Sequence, residues 1–347
     1  MIRVRHLAVP ALAFMLSTLG MSARTAANSL EDFYKGRTIT LVVGSEPGGT
    51  YDLYGRTIAR HLGRFVPGDP KVIVQNVTGA GSYLAARRVY SIAPQDGATI
   101  GSIGAALPYQ PLIDPNSPPL DVQRINWLPS ISSYNMVMIM RSDVPVANLD
   151  DLRARPTIQA TIAPGQANSL IVAVVNEALG AKIKGVQGHK GLSDSILAML
   201  RGEVDGYPAM PVEALKRTYP QLIAEGKVRM IMQFGAEPLP ELPNVPYAAD
   251  LASTSEDRML IDLAQAFLKS GYVYMLGPDV PQDRVNALRQ AFMAMYADSE
   301  FLEDAKKQTL NVAPVSAEKV TAIFAEAYGR PPAVLDRLRN IFRQLHQ

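Results

Sequence analysis

The chain has 347 residues, a formal net charge of +2 and no cysteine; 48% of its residues are hydrophobic and 19% are charged. The absence of cysteine excludes a disulfide-stabilised scaffold, thiol catalysis and zinc–thiolate sites. The low charged fraction excludes a disordered chain. The balanced charge gives no sign of a nucleic-acid partner, which needs a concentrated basic surface.

The first 27 residues have the three parts of a secretory signal peptide. Arg3 and Arg5 precede an apolar run from Leu7 to Leu19, and small residues surround Ala27. The apolar run is shorter than the ~20 residues that a membrane-spanning helix needs. We therefore expect export to the periplasm with cleavage near Ala27. Because this segment holds three arginines and no acidic residue, the mature chain has a net charge of −1.

Strand-like and helix-like patterns alternate from Lys35 onward. "TITLVVG", "KVIVQNV" and "ATIGSIGAA" are typical of strands, and the stretches beginning at Tyr51 and Ser82 place apolar residues at helical spacing. This order predicts a parallel sheet with helices on its faces.

A second cycle begins near Trp127. It contains the strand "YNMVMIMRSD", a short helix opening at Asn148, the strand "TIQATIA" and a helix that ends at Gly180. The next helix is predicted to have Ser193 as its N-cap and to bury Ile196, Leu197 and Leu200. "GYPAM" and "VRMIMQFG" are predicted strands.

A proline-rich segment, "ELPNVPYAAD", precedes a helical C-terminal part. Helices are predicted around 259–268, 284–297 and 317–328 and from 333 onward. Two strand–helix cycles joined in this way predict two lobes. We expect residues 28–131 with 250–347 to form lobe 1, and 132–249 to form lobe 2.

Three strand-to-helix junctions have a similar composition: "GSEPGGTYD" (44–52), "NVTGAGSY" (76–83) and "APGQANSL" (163–170). Free N–H groups and the positive end of a helix dipole meet at such a junction, so it can accept an anionic group. In open parallel sheets, ligands bind beyond the carboxyl ends of the strands. The alternative is that Thr50, Ser82 and Ser169 only cap helices.

Catalytic and cofactor motifs are weak in this sequence. "GAGSYL" has Leu84 where a dinucleotide fingerprint needs its third glycine, and neither a P-loop nor a G-x-S-x-G elbow occurs. His61, His189 and His346 are far apart in sequence, and His61 is predicted to face solvent. We expect no metal, no cofactor and no catalytic residue. A hydrolase using Ser45 or Ser82 is the remaining enzyme alternative, although it lacks a recognisable base.

Several segments resemble one family of receptors. "FYKGRTITLVVGSEPGGTYDLYGRTIARHL", "VIVQNVTGAGSYLAARRVYSIAPQDGATIG", "HKGLSDSILAMLRGEVD" and "ELPNVPYAAD" are similar to the solute-binding proteins of tripartite tricarboxylate transporters, the TctC or Bug family. The resemblance implies an α/β fold of the bilobal periplasmic-binding-protein class (type II), with two parallel-core sheets flanked by helices, a hinge and a ligand cleft.

The same resemblance implies a monomeric receptor that captures a small organic acid or a related polar metabolite and delivers it to membrane permease subunits. An alternative is a sensor protein that docks on a histidine kinase. The predicted ligand-binding residues are Ser45, Glu46, Gly48, Gly49, Thr50, Tyr51, Asp52, Thr78, Gly79, Ala80, Gly81, Pro164, Gly165, Ala167, Asn168, Ser169, Tyr207 and Ala209.

The first loop departs from the family pattern, which usually reads Pro-aromatic-x-Pro-Gly-Gly. Here Ser45 stands at the aromatic position and Glu46 follows it. A Glu46 that faces the ligand would repel a second carboxylate and favour a ligand with hydroxyl, amide or ammonium donors. A Glu46 that faces outward would be an exposed charge without a role.

Overall fold

The computed structural model describes residues 30–114, 116–162, 167–189 and 191–345. The predicted signal peptide therefore lies outside the described residues. The strands are β1 (Thr38–Val43), β2 (Lys71–Asn76), β3 (Thr99–Ser102), β4 (Asn126–Leu128), β5 (Met136–Arg141), β6 (Thr157–Ala160), β7 (Ile183–Val186), β8 (Gly206–Pro211), β9 (Val228–Phe234) and β10 (Tyr274–Leu276).

Fourteen α-helices are assigned in the described part of the chain. They are α1 (Thr50–His61), α2 (Tyr83–Arg87), α3 (Gln110–Ile113), α4 (Leu149–Ala154), α5 (Ala167–Leu179), α6 (Leu192–Leu200), α7 (Val212–Arg217), α8 (Pro220–Ala224), α9 (Ser255–Ala264), α10 (Ala266–Ser270), α11 (Gln282–Ala297), α12 (Ser299–Lys307), α13 (Ala317–Tyr328) and α14 (Pro332–Leu345). Residues 30–34 are also helical, and short 3-10 or π turns extend or link several helices.

The chain divides into two compact units. Unit 1 contains the described residues up to Ile103, Arg124–Pro129 and Tyr274–Val312; unit 2 contains Gly104–Gln123, Ser130–Val273 and Ala313 onward. Helices α13 and α14 thus group with unit 2, whereas the whole C-terminal part is predicted from the sequence to join lobe 1. The lobe boundaries stated there stay a prediction.

Unit 1 is built on a five-stranded sheet in the order β2-β1-β3-β10-β4. Strand β1 pairs in parallel with both β2 and β3, and β10 runs antiparallel between β3 and β4. The β1 residues Ile39, Leu41, Val42 and Val43 are fully buried, because helices cover both faces of this central strand. Because β1, β2 and β3 are parallel, their carboxyl ends lie together at one edge of the sheet.

Unit 2 is built on a second five-stranded sheet in the order β7-β6-β8-β5-β9. Strand β6 pairs in parallel with β7 and β8, while β5 pairs antiparallel with β8 and β9. One side chain of β6, Ala160, joins a core with Ile196 and Met199 of α6. Two such sheets flanked by helices confirm the predicted bilobal α/β class, with an antiparallel strand added to each parallel core.

The prediction for α6 was wrong in two respects. The helix begins at Leu192 after Gly191, so Ser193 lies inside the first turn and is not the N-cap. Leu197 and Leu200 are 45% and 47% exposed, whereas Ile196 and Met199 are buried. The buried face of α6 is therefore shifted by one residue towards the N-terminus from the predicted face. The short apolar sequence "ILAML" is compatible with either of these two neighbouring faces.

Candidate ligand-binding site

Asp52 organises the loop between β1 and α1. Its side chain is buried, and its Oδ2 accepts hydrogen bonds from the Gly48 N–H and from Arg56 Nε, each at 2.8 Å. Its Oδ1 accepts a third from Asn76 Nδ2 at 2.9 Å. Burial alone would raise the pKa of Asp52, but the hydrogen bonds from Arg56, Gly48 and Asn76 outweigh it and lower that pKa.

Two further hydrogen bonds join the first loop to the loop after β2. Asn76 Nδ2 also donates to the Ser45 carbonyl at 2.9 Å, and Ser82 Oγ donates to the Gly44 carbonyl at 2.8 Å. Gly44 lets the two loops approach, since a Cβ there would lie 2.6 Å from Ser82 Cβ and Oγ. The loops 44–52 and 76–82 are thus one connected structure.

The loop after β2 has an unusual backbone. Gly79, Ala80, Gly81 and Ser82 have φ values of 126°, 45°, 61° and 78°. Glycine adopts such values without a steric penalty, but Ala80 and Ser82 do so at a cost. The sequence "GAGS" therefore specifies a left-handed segment at the carboxyl end of β2.

The capping alternative was wrong for Thr50. Gly49 is the N-cap of α1, with no side-chain cap, and Thr50 is the first helical residue. Ser82 occupies the N-cap position of α2, but its side chain makes no cap hydrogen bond and its hydroxyl donates to the Gly44 carbonyl instead. Ser169 is the third residue of α5 as described, and Ala167 the first.

The first-loop residues differ in exposure. Gly48, Gly49 and Thr50 are exposed, as is every residue of 78–81. Ser45 is half-buried, and its Oγ has no hydrogen-bond partner among the described residues. Glu46 is exposed, and its carboxylate makes no ion pair within the described part of the chain.

In unit 2, four of the predicted residues at the β6–α5 and β8 positions are buried, and Ala167 is half-buried. Asn168, Ser169, Tyr207 and Ala209 are at most 5% exposed. Asn168 Nδ2 donates to the Tyr207 hydroxyl at 3.5 Å, and Asn168 Oδ1 accepts from the Ser169 N–H at 2.8 Å. Burial raises the pKa of Tyr207, and the Asn168 contact opposes the shift. Pro164 and Gly165 lie outside the described residues.

Further residues support the first loop besides those predicted from the sequence. Asn76 and Arg56 fix Asp52, and Arg56 lies four residues after it on one helical turn, a spacing that indicates an ion pair. His189, which the sequence places near a strand end, has its Nδ1 3.0 Å from the Thr161 carbonyl and 3.1 Å from the Val186 carbonyl.

The prediction that His61 faces solvent was wrong. Its side chain is 12% exposed, and its Nε2 lies 2.8 Å from Asp304 Oδ2. Burial opposes ionisation of Asp304, but contacts with His61, Arg60 and Gln308 lower its pKa. A partner 243 residues away explains why local periodicity missed this contact.

The described residues contain no group of three or more histidine or acidic side chains that could hold a metal ion. Within those same ranges, no helix combines the length and the apolar character needed to cross a membrane.

Known proteins share both sequence and fold with this chain. A "UPF0065 protein in gbd 5'region" of Cupriavidus necator is 29% identical over 261 residues, covering 71% of this chain and 74% of that protein. Protein BugT of Bordetella pertussis is 27% identical over 248 residues, covering 69% and 72%.

Among solved structures, a TctC solute-binding protein from Polaromonas has a TM-score of 0.70 at 16% identity, covering 90% of this chain and 99% of that one. MatC of Rhodopseudomonas palustris with bound malate has a TM-score of 0.55 at 18% identity, covering 88% and 99%. A second R. palustris protein, with adipate, has a TM-score of 0.56 at 19% identity, covering 89% and 97%.

At these identities the solved structures establish the fold, and the family is established by sequence. Residues 58–339, most of the chain, match the family described as the tripartite tricarboxylate transporter family receptor, TctC. This chain therefore belongs to the TctC family of tripartite tricarboxylate transporter receptors.

Proposed function

We propose that the chain is an extracytoplasmic solute-binding receptor that captures a small organic acid and delivers it to permease subunits of the tripartite tricarboxylate type. Membership of a receptor family supports the binding role, and malate and adipate in two R. palustris proteins of the same fold support a carboxylate ligand. Periplasmic location after cleavage near Ala27, a monomeric state and the absence of catalysis belong to the same proposal.

The ligand residues are proposed to come from both units. In unit 1 they are Ser45, Glu46, Gly48, Gly49, Thr50, Tyr51, Asp52, Thr78, Gly79, Ala80 and Gly81. In unit 2 they are Pro164, Gly165, Ala167–Ser169, Tyr207 and Ala209. Glu46 favours hydroxyl- or amine-bearing acids over simple dicarboxylates if its side chain lies beside the ligand.

One observation carries the proposal: helix α1 begins at an exposed residue, Thr50, at the end of the loop that follows the parallel strand β1. Thr50 is the first helical residue, and a first-turn N–H has no acceptor within its own helix. The helix dipole adds positive potential at the same place. Asp52 and Asn76 hold this N–H in position before any ligand arrives, which reduces the entropy lost on binding.

The test removes this one N–H group. Proline fits the first helical position, and the extended backbone of Gly49 (φ −76°, ψ 170°) suits a residue before proline. Thr50→Pro therefore deletes the donor, whereas Thr50→Ala deletes only the side chain. Ser299→Pro makes the same change at the first position of α12, which follows the extended Asp298.

Binding of adipate and malate to the purified protein is measured by calorimetry and by thermal shift. We expect Thr50→Pro to weaken the affinity for the bound acid by roughly 10- to 100-fold, the effect of losing a hydrogen bond to a charged group. Thr50→Ala and Ser299→Pro should bind nearly as the wild type. The proposal would be contradicted if Thr50→Pro bound the acid as tightly as the wild type, or if neither adipate nor malate stabilised the wild type.

A further inference from the structure

His189 connects the carboxyl ends of two neighbouring parallel strands of unit 2, β6 and β7. Its Nδ1 lies 3.0 Å from the carbonyl oxygen of Thr161, the residue after β6, and 3.1 Å from that of Val186, the last residue of β7. The Gly188 N–H also donates to the Ile162 carbonyl at 3.1 Å. His189 therefore lies at the edge of the sheet where ligands bind in open parallel sheets.

The two carbonyl contacts determine which ring nitrogen of His189 carries the proton. A carbonyl oxygen only accepts hydrogen bonds, so the Nδ1–H group is the donor to both Thr161 and Val186. In a neutral imidazole with this proton, Nε2 has a lone pair and is an acceptor. Nε2 makes no hydrogen bond to another described residue, and His189 is only half-buried. The ring is thus held by one nitrogen and offers the other.

Asn76 makes a similar connection in unit 1, but with a different result. It is the last residue of β2, and its Nδ2 donates to the Ser45 carbonyl in the loop after the neighbouring parallel strand. Its Nδ2 also donates to Asp52, and its Oδ1 accepts from Arg56. Both polar atoms of the Asn76 side chain are therefore bonded within unit 1, whereas His189 keeps one nitrogen available.

An available acceptor restricts the chemistry of the group that it can bind. An ionised carboxylate has no hydrogen to donate, so the neutral Nε2 does not bond to it. An ammonium group does donate, but a neutral acceptor does not supply the counter-charge that a cation needs when it leaves water. A hydroxyl group donates without this penalty. Because the Nδ1 contacts already fix the ring, little side-chain entropy is lost when such a bond forms.

We propose that His189 determines specificity in the receptor: its Nε2 accepts a hydrogen bond from a hydroxyl group of the bound acid. The protein then prefers hydroxy acids to the corresponding acids without the hydroxyl. This inference rests on the proposed function, because it names the class of acid that the same site takes.

Two pairs of acids that differ by one hydroxyl group measure this preference: malate with succinate, and 2-hydroxyadipate with adipate. Binding to the purified protein is measured by calorimetry at about pH 8, the upper end of the range in which histidine side chains change charge. Within the pair that binds more tightly, we expect the wild type to favour the hydroxy acid roughly 3- to 10-fold, the value of one neutral hydrogen bond.

Two variants separate the roles of the ring nitrogens. In His189→Asn, the side-chain amide takes the place of Nδ1 and can donate to the same carbonyls, but no atom replaces Nε2. This variant should keep the melting temperature of the wild type and bind both acids of a pair equally. His189→Gln places an amide oxygen near the position of Nε2. It should keep part of the preference but melt at a lower temperature, because the donor to Thr161 and Val186 is lost.

His61→Asn is the matched control. Both ring nitrogens of His61 have partners, Asp304 and Arg64, and none of these three residues belongs to the predicted site. This variant should keep the full preference for the hydroxy acid, whatever it does to stability.

Nitrogen-15 NMR of the wild type tests the same contact without a variant. The Nε2 resonance of His189 should shift on saturation with the hydroxy acid and stay in place with its partner acid. A full preference in His189→Asn, or an equal Nε2 shift with both acids, overturns the inference and leaves the proposed function intact. A wild type that binds none of the four acids overturns both.

Discussion

The first loop of unit 1 and the described residues on either side of the β6–α5 junction of unit 2 are stabilised differently. In unit 1, both oxygens of Asp52 accept hydrogen bonds at 2.8–2.9 Å. In unit 2, the Asn168–Tyr207 contact is 3.5 Å long, and buried oxygens of Thr157, Gln159 and Thr161 have no partner within the described residues. Directional bonds fix the first region, and burial dominates in the second. Removal of a polar side-chain group should therefore lower the free energy of unfolding more in the first loop of unit 1 than in this region of unit 2.

The largest effect is expected at Asp52. Asp52→Ala leaves three donors without their acceptor and should lower the free energy of unfolding by about 3 kcal/mol in urea denaturation. Asp150→Ala removes an exposed carboxylate from a similar i,i+3 arginine pair and should cost less than about 0.5 kcal/mol. An equal loss of free energy of unfolding in Asp52→Ala and Asp150→Ala would contradict this prediction.

The same residue gives a pH dependence. Since the pKa of Asp52 is lowered in the folded state, its contribution is complete above the unfolded pKa of about 3.9 and disappears as the pH falls through the folded pKa. The stability difference between the wild type and Asp52→Asn should be constant from about pH 7 to about pH 5 and should shrink below about pH 4. A difference that grows on acidification would contradict this.

The next largest effect is expected at Gly44, where the two loops of unit 1 approach each other closely. Gly44→Ala places a Cβ 2.6 Å from Ser82 Cβ and should lower the free energy of unfolding by about 2 kcal/mol. Ser82→Gly in the same chain removes that contact and should recover about 1 kcal/mol. Recovery stays partial, because Ala85 Cβ lies 3.2 Å from the new methyl group. A double variant no more stable than Gly44→Ala would exclude this contact as the cause.

A smaller effect is expected in unit 2. Tyr207→Phe removes only the long Asn168 contact and should change the free energy of unfolding by about 0.5 kcal/mol. Tyr247→Phe is the matched control, because Tyr247 donates to Gly235 at 2.8 Å and accepts from Gln265 at 2.7 Å, and it should cost about 2 kcal/mol. If Tyr207→Phe costs as much as Tyr247→Phe, the unit 2 junction is also fixed by directional bonds.

The smallest effect concerns Glu46. Two charges about 8 Å apart in water repel by ~0.5 kcal/mol, so Glu46→Gln should strengthen adipate binding roughly twofold, and more at low salt. Hexanoate, with one carboxylate on a chain of the same length, should gain less. Calorimetry at two salt concentrations measures both. Equal affinities in wild type and Glu46→Gln would place this charge away from the ligand.

Regular periodicity made much of the fold predictable. Residues 317–328 have helical spacing over three turns and form α13 as predicted. Strand β10 could not be predicted in the same way, because three residues show no period and its partner β3 lies far away in the sequence. Helix α12 was also missed. Its residue Asp304 contacts His61 of α1, so packing between residues far apart in the sequence determines the surroundings of both α1 and α12.

The candidate site was predictable where backbone chemistry determines it. "PGG" and "GAG" identified the two exposed loops of unit 1, since positive φ and close approach require glycine. The role of Asp52 was less accessible, because the motif suggested a ligand contact while the buried carboxylate bonds to Gly48 and Arg56. Its third partner, Asn76, lies at the end of another strand, a contact that no local spacing encodes.

The left-handed segment 80–82 has a stereochemical consequence. Its backbone has the handedness that D-amino acids prefer, and each L-residue other than glycine adopts it at a cost of about 1 kcal/mol. A mirror-image turn presents its amide and carbonyl groups in a spatial order that a right-handed turn of the same sequence does not reproduce. The arrangement of the polar groups that this loop exposes therefore depends on the handedness of its backbone more than on its side chains, and replacing Gly81 alters that surface although the new side chain touches nothing.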